Sequence, residues 1–341
     1  MKALMKTAPG VGNMELRDMP EPFPGPGRVK IAVEYTGICG SDLKIVKDLM
    51  ATDPPVITGH EFAGVIAEVG EGVTSYKVGD RVVSETAAEF CGVCEYCMSG
   101  NYLMCPSRRS LGYKENGAFA KYAIARQDML HIIPDEVSFE EAAMTEPSAV
   151  AFHAVYDYAR LLPTSRVLVI GPGTIGLLVT QMVLNAVPRV AVCGLTADAP
   201  RLELAKKFGA DTAFMDKDDI DTFAKKFTEG RKFDFVFDCT GAPPAISSAL
   251  KLLRNSGTLV QVGLTHGKSE VDYGRIAMSE LTVRGVYGSK YPNWVSVLQL
   301  MRDKKIDLKS MISGVYDLDH WEEAFGAAAE PQNVKVLIRP Q

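Results

Sequence analysis

No fixed-period repeat, no low-complexity tract and no block of like charge occurs in this 341-residue sequence. The missing repeat excludes solenoids and propellers, which announce themselves by self-similarity. The formal charge is only −5 and is spread along the chain, so neither nucleic acid nor an anionic membrane is an expected partner. Met1-Lys2-Ala3-Leu4-Met5-Lys6 turns polar too early for the apolar core of a secretory leader, which makes the cytoplasm the expected compartment. An uninterrupted membrane-spanning run is also missing. Residues 167–187 carry only Thr174, Thr180, Gln181 and Asn185 as polar side chains, but Gly171-Pro172-Gly173 breaks the run. It reads as a buried strand, a turn and a buried helix.

What is present fits a soluble globular protein, with 47% apolar and 23% charged residues. The length exceeds what one core holds, so about two domains are expected. Up to about residue 150 the pattern is short strands punctuated by Gly and Pro. Arg28–Tyr35 and Gly64–Gly70 alternate at period two, and Gly79–Val83 begins a third strand, an antiparallel barrel pattern. Beyond Pro163, apolar strands at 166–171, 189–194, 233–238 and 257–263 alternate with helical stretches, which implies a doubly wound parallel sheet. The terminal Lys335-Val336-Leu337-Ile338 reads as a strand that returns to the first domain. The expected division is 1–155, 156–288 and a returning segment 289–341.

The seven cysteines are an odd number, so metal ligation is a stronger reading than a disulfide framework. Cys91, Cys94, Cys97 and Cys105 lie within one short stretch and can close a four-sulfur zinc site. Such a site has no open position and is structural. Cys193 and Cys239 sit in apolar runs as small buried side chains. A second set combines Cys39 with His60 and Glu61, the ligand types of a catalytic zinc. Glu146 is set in the apolar stretch Met144–Val150, where an unpaired buried carboxylate would be costly and metal coordination would satisfy it.

Gly171-x-Gly173-x-x-Gly176 follows a strand and opens a helix at Thr174 and Ile175, the setting of the dinucleotide fingerprint. At the end of the next strand Gly194 stands where an acid would bind the ribose 2′-hydroxyl. With Thr196 and Arg201 in reach of a 2′-phosphate, NADP is favoured over NAD. Val262, Gly263 and Val286 end further strands on the nucleotide side.

Cys39-Gly40-Ser41-Asp42, Gly59-His60-Glu61, Gly79-Asp80-Arg81-Val82, the four-cysteine lobe, Glu146-Pro147 and the glycine fingerprint together resemble the zinc-dependent medium-chain dehydrogenases, most closely the sorbitol (polyol) dehydrogenase branch. The resemblance covers essentially the whole chain. It implies an α/β protein with a GroES-like β-barrel catalytic domain, a Rossmann nucleotide-binding domain, and a homodimer or homotetramer. It also implies two zinc ions per chain. Cys39, His60 and Glu146 would hold the catalytic one, with Glu61 as a fourth ligand or close neighbour. The implied reaction is NAD(P)-linked oxidation of a secondary alcohol of a polyol, sugar or sugar phosphate, with Ser41 taking the hydroxyl proton. An amino alcohol dehydrogenase of the L-threonine type shares these motifs, and a zinc-stabilised nucleotide-binding protein without turnover is a more distant reading. One position departs from the family. Lys44 stands where many members carry a proton-relaying histidine, and it is a candidate for meeting an anionic substrate.

Overall fold

The computed structural model describes residues 1–265 and 268–341. Met1–Glu146 together with Ser289–Gln341 form one compact unit, and Pro147–Gly288 form the other. The division falls at 146/147, not at the expected 155/156. The stretch after Phe152 is a wide helical turn, His153–Asp157, and the Tyr156 hydroxyl donates to the carbonyl of Met182, tying that turn to the second unit.

In the first unit the central strand is Arg28–Gly37, whose alternate β-branched residues Val29, Ile31 and Val33 bury one face. It pairs antiparallel with Glu61–Val69 on one side and with Lys335–Arg339 on the other. The C-terminal strand is therefore part of the barrel sheet. Glu61–Val69 pairs on with Arg81–Ser84, and Lys335–Arg339 pairs parallel with Ile312–Asp317, so the sheet is antiparallel except at that edge. The register places Gly37 opposite both Glu61 and Leu337. Three strands thus meet where the chain is about to reach Cys39.

The second unit is a six-stranded parallel sheet in the order Asp211–Phe214, Val190–Gly194, Val167–Ile170, Phe233–Asp238, Leu253–Gln261, Thr282–Gly285. In chain order this is 3-2-1-4-5-6, the doubly wound arrangement whose direction reverses between its first and fourth strands. The helix Thr174–Leu184 is buried along most of its length, which explains the long apolar run. Among the described residues no helix is long and apolar enough to cross a membrane. Two elements, Asp211–Phe214 and the helix Ile220–Thr228, escaped the sequence reading. Asp211–Phe214 is only four residues long, whereas the helix sets Ile220, Phe223, Ala224 and Phe227 on one core-facing stripe and is started by the Asp219 side chain accepting from the Thr222 N–H at 3.0 Å.

Asp234 staples this sheet. It accepts from the Arg166 backbone at 2.7 Å and from the Arg166 guanidinium at 2.8 and 2.9 Å, and it pairs with Arg254. Burial opposes ionisation, but the two guanidiniums hold the carboxyl down to about 2. A depressed folded-state value means stability that is complete above the unfolded value of about 4 and is lost as pH falls toward 2. With solvent screening, Asp234→Asn is expected to cost about 1 kcal/mol at pH 7, or about 2 °C in Tm. The difference from wild type should vanish in melting curves taken at successively lower pH.

Candidate active site and metal centres

Cys39 is the N-cap of the short helix Gly40–Val46, and Asp42 closes the cap by accepting the Cys39 N–H at 2.8 Å. His60 and Glu61 come from the start of the neighbouring strand, at the point where the register sets Glu61 against Gly37. One ligand atom from each of Cys39, His60 and Glu61 lies within 4.8 Å of the others. Glu146, at the first turn of the helix Thr145–Phe152, stands outside that tight set but is electrostatically coupled to His60 and Glu61. Burial pushes its carboxyl up to about 7, opposed by His60.

The turn that delivers His60 is held by close packing of backbones. Gly59 has φ +89°, and a Cβ on it would lie 2.8 Å from the Phe119 ring. A Cβ on Gly117 would lie 2.0 Å from the Gly59 carbonyl oxygen. This approach brings Tyr113 against the site, with its ring 5.1 Å from that of His60 and its hydroxyl donating to Ser41 Oγ at 2.7 Å. Burial pushes the Tyr113 phenol well above its usual range, so it stays a donor. Nothing in the local sequence marks Tyr113.

Lys335 is another residue that sequence reasoning missed. Fully buried, it forms an ion pair with Glu61 and donates to the Ile38 carbonyl at 3.0 Å. Burial would lower its ammonium, but Glu61 and Cys39 hold it above the ordinary value. Burial likewise works against a charged His60, while Asp42 and Cys39 hold that imidazole up to about 10. Lys44 is half-buried one turn beyond Cys39; burial lowers its ammonium, and Cys39 opposes the shift.

The donors fit a metal. Thiol, imidazole and carboxylates converge in a buried place, and Asp42 Oδ1 and His60 Nδ1, 3.8 Å apart, have no hydrogen-bond partner. A histidine that binds metal through one nitrogen offers the other to such a carboxylate. The four-cysteine lobe fits zinc more closely still. Its sulfurs stand 3.5 Å (Cys94–Cys97), 3.6 Å (Cys91–Cys105) and 3.9 Å (Cys91–Cys97) apart. Tetrahedral bonds of about 2.3 Å place sulfurs about 3.8 Å apart. The Val93 and Cys94 N–H groups hold the Cys91 thiol down to about 6, which favours the thiolate. Tyr102 fastens the lobe by donating to Glu85, which also bonds His131 at 2.9 Å.

In the second unit the expected cofactor residues follow the carboxyl ends of parallel strands, with Arg201 further on, inside the helix Ala199–Lys207. Gly171 has φ +92°, and a Cβ on Gly176 would lie 1.8 Å from the Gly171 carbonyl oxygen. A Cβ on Gly173 would meet nothing within 4 Å, leaving the helix N-terminus at Thr174 and Ile175 open to a pyrophosphate. Val262 and Gly263 both donate backbone N–H to the Asp238 carbonyl at 2.9 Å, and Val286 donates to the Gln261 carbonyl. The ribose corner differs from the expectation. Thr196 is bonded to Asp216 and Arg201 is paired with Asp198, so the two groups assigned to a 2′-phosphate are already engaged by carboxylates.

Residues 25–135 match the alcohol dehydrogenase GroES-like domain, and residues 174–303 match the zinc-binding dehydrogenase domain. The sorbitol dehydrogenase of Halalkalibacterium halodurans is 41% identical over 100% of this chain and 99% of its own length. This chain belongs to the zinc-dependent medium-chain dehydrogenases. The D-arabitol-phosphate dehydrogenase of Enterococcus avium is 39% identical over 99% of the chain and 97% of its own length. Among solved structures, the 2R,3R-butanediol dehydrogenase of Bacillus subtilis superposes with a TM-score of 0.90 at 32% identity, covering 100% of this chain and 99% of that one. As a zinc-type dehydrogenase, the chain is an oxidoreductase of the alcohol and polyol class, with the barrel-plus-Rossmann architecture its motifs implied.

Proposed function

We propose that this dehydrogenase oxidises a secondary alcohol of a polyol, or of a phosphorylated polyol, reversibly to the ketone with a nicotinamide dinucleotide as hydride acceptor. The observation that carries the proposal is the convergence of Cys39, His60 and Glu61, with Glu146 coupled to them, in the unit that matches the family's catalytic domain. Zinc held by Cys39, His60 and Glu146, with Glu61 alongside, would supply Lewis acidity to the substrate oxygen. The chain's own residues manage the proton and the geometry. Tyr113 holds the Ser41 hydroxyl in one orientation, so Ser41 can take the substrate proton. Lys335 neutralises Glu61 from behind. The glycine turn at Gly171–Gly176 holds the dinucleotide, whose nicotinamide accepts the hydride.

Lys44 supports the phosphorylated branch of the substrate class. It is a cation one helical turn from Cys39, and a relative similar over nearly the whole chain is named for an arabitol phosphate. The test is a panel of polyols and polyol phosphates assayed with NAD and NADP separately, beside metal analysis. Lys44→Ala is expected to lower kcat/KM for phosphorylated substrates by at least about tenfold, the worth of one charged hydrogen bond, and to spare neutral polyols. An equal loss on both would exclude phosphate recognition by Lys44.

A homodimer or homotetramer fits the edge strand Thr282–Gly285, all four residues of which are exposed, with Met278 and Tyr273 exposed before it. A reducing compartment such as the cytoplasm fits the seven cysteines, all of them free.

A further inference from the structure

Gly194 ends the second strand of the parallel sheet, where a carboxylate ordinarily meets the adenosine ribose. The packing forbids one there. A Cβ on Gly194 would lie 2.8 Å from Pro172 Cδ and 3.1 Å from Asp198 Cβ. The adjacent strand, Asp211–Phe214, pairs Phe214 with Gly194 and continues with the Met215 N–H bonded to the Gly194 carbonyl at 2.8 Å. Its next residue, Asp216, reaches over this corner. The Asp216 carboxylate accepts from the Thr196 N–H at 2.8 and 3.1 Å and from the Thr196 hydroxyl at 3.1 Å.

We propose that Asp216 replaces the missing second-strand acid and makes this enzyme select NAD over NADP. The inference rests on the nucleotide-binding reading of this sheet. A carboxylate only accepts hydrogen bonds, so it suits a ribose 2′-hydroxyl and repels a 2′-phosphate. The nearby donors already face acids: Thr196 donates to Asp216, and one Arg201 N–H donates to Asp198 at 3.2 Å. Asp198 also accepts the Leu195 N–H at 3.0 Å, which fixes it within the turn.

The test is direct calorimetric titration of the purified, metal-replete protein with NADH and with NADPH, apart from any turnover. Wild type is expected to bind NADH at least about tenfold more tightly, the discrimination that one nearby like charge gives at a solvated site. Asp216→Asn should narrow the gap by about tenfold, chiefly through tighter NADPH binding, because its amide lacks the repelling charge. Raising the salt concentration should narrow the gap in wild type as well, which tests the charge without any substitution. Equal or tighter NADPH binding by wild type would overturn the proposal, as would an unchanged ratio in a folded Asp216→Asn protein. Failure to bind either dinucleotide would instead overturn the nucleotide-binding reading, and this inference with it.

Discussion

On the proposed two-zinc reading, His60→Asn is expected to take the protein from two zinc ions per chain to one and to lower kcat/KM by about a thousandfold or more. The magnitude follows from several kcal/mol of charge stabilisation at the substrate oxygen, at 1.36 kcal/mol per tenfold. The loss is selective because the two metal centres are built differently. The four-cysteine lobe is closed by its own sulfurs, with short S–S separations and backbone N–H groups favouring thiolate. It shares no residue with the set Cys39, His60 and Glu61. Metal analysis of the dialysed variant beside steady-state kinetics checks both halves. A variant that keeps two zinc ions and near-normal turnover would remove His60 from the site.

Lys335→Ala is expected to destabilise the protein by about 4 kcal/mol, the cost of breaking a buried ion pair by removing one partner. Glu61 is 1% exposed, so its carboxylate is left buried without a counter-charge. The Ile38 carbonyl also loses its donor, and the methylenes of a fully buried side chain leave a cavity. Urea unfolding of the single variants and of Lys335→Ala combined with Glu61→Gln separates these causes. If the lost pairing dominates, neutralising Glu61 in the double variant recovers part of the loss, whereas a pure cavity effect would leave the two substitutions additive. A stability loss below about 1 kcal/mol for Lys335→Ala would mean that the pair is not the buried ion pair described, since that is the range of exposed pairs.

Much of the site was legible because its chemistry is carried at short range. The four cysteines lie within one lobe, and the glycine fingerprint is six residues long with a strand before it and a helix after it. Cys39 and His60 are delivered by adjacent turns of adjoining strands. Spacing of this kind survives in the one-dimensional chain. The reading failed where a residue acts through register or through a neighbouring strand. Lys335 looked like the first residue of a terminal strand, and its charge is explained only by the pairing of that strand with Arg28–Gly37. Tyr113 sits in a loop whose approach to Ser41, 72 residues away, depends on glycine backbones packing at Gly59 and Gly117. Thr196 and Arg201 looked available for a phosphate because the sequence does not say that Asp216 crosses from the next strand.

Residue types and their spacing were therefore enough to point to two candidate metal-ligand sets and a candidate dinucleotide turn, and to indicate a barrel joined to a doubly wound sheet. The tertiary structure decided which polar groups face those sites: Lys335 behind Glu61, Tyr113 on Ser41, and Asp216 on Thr196. The physical reason is the range of each constraint. Ligand spacing and turn glycines are set by covalent geometry over a few residues, whereas a buried or bridging charge is placed by strand register and close packing between segments far apart in the chain.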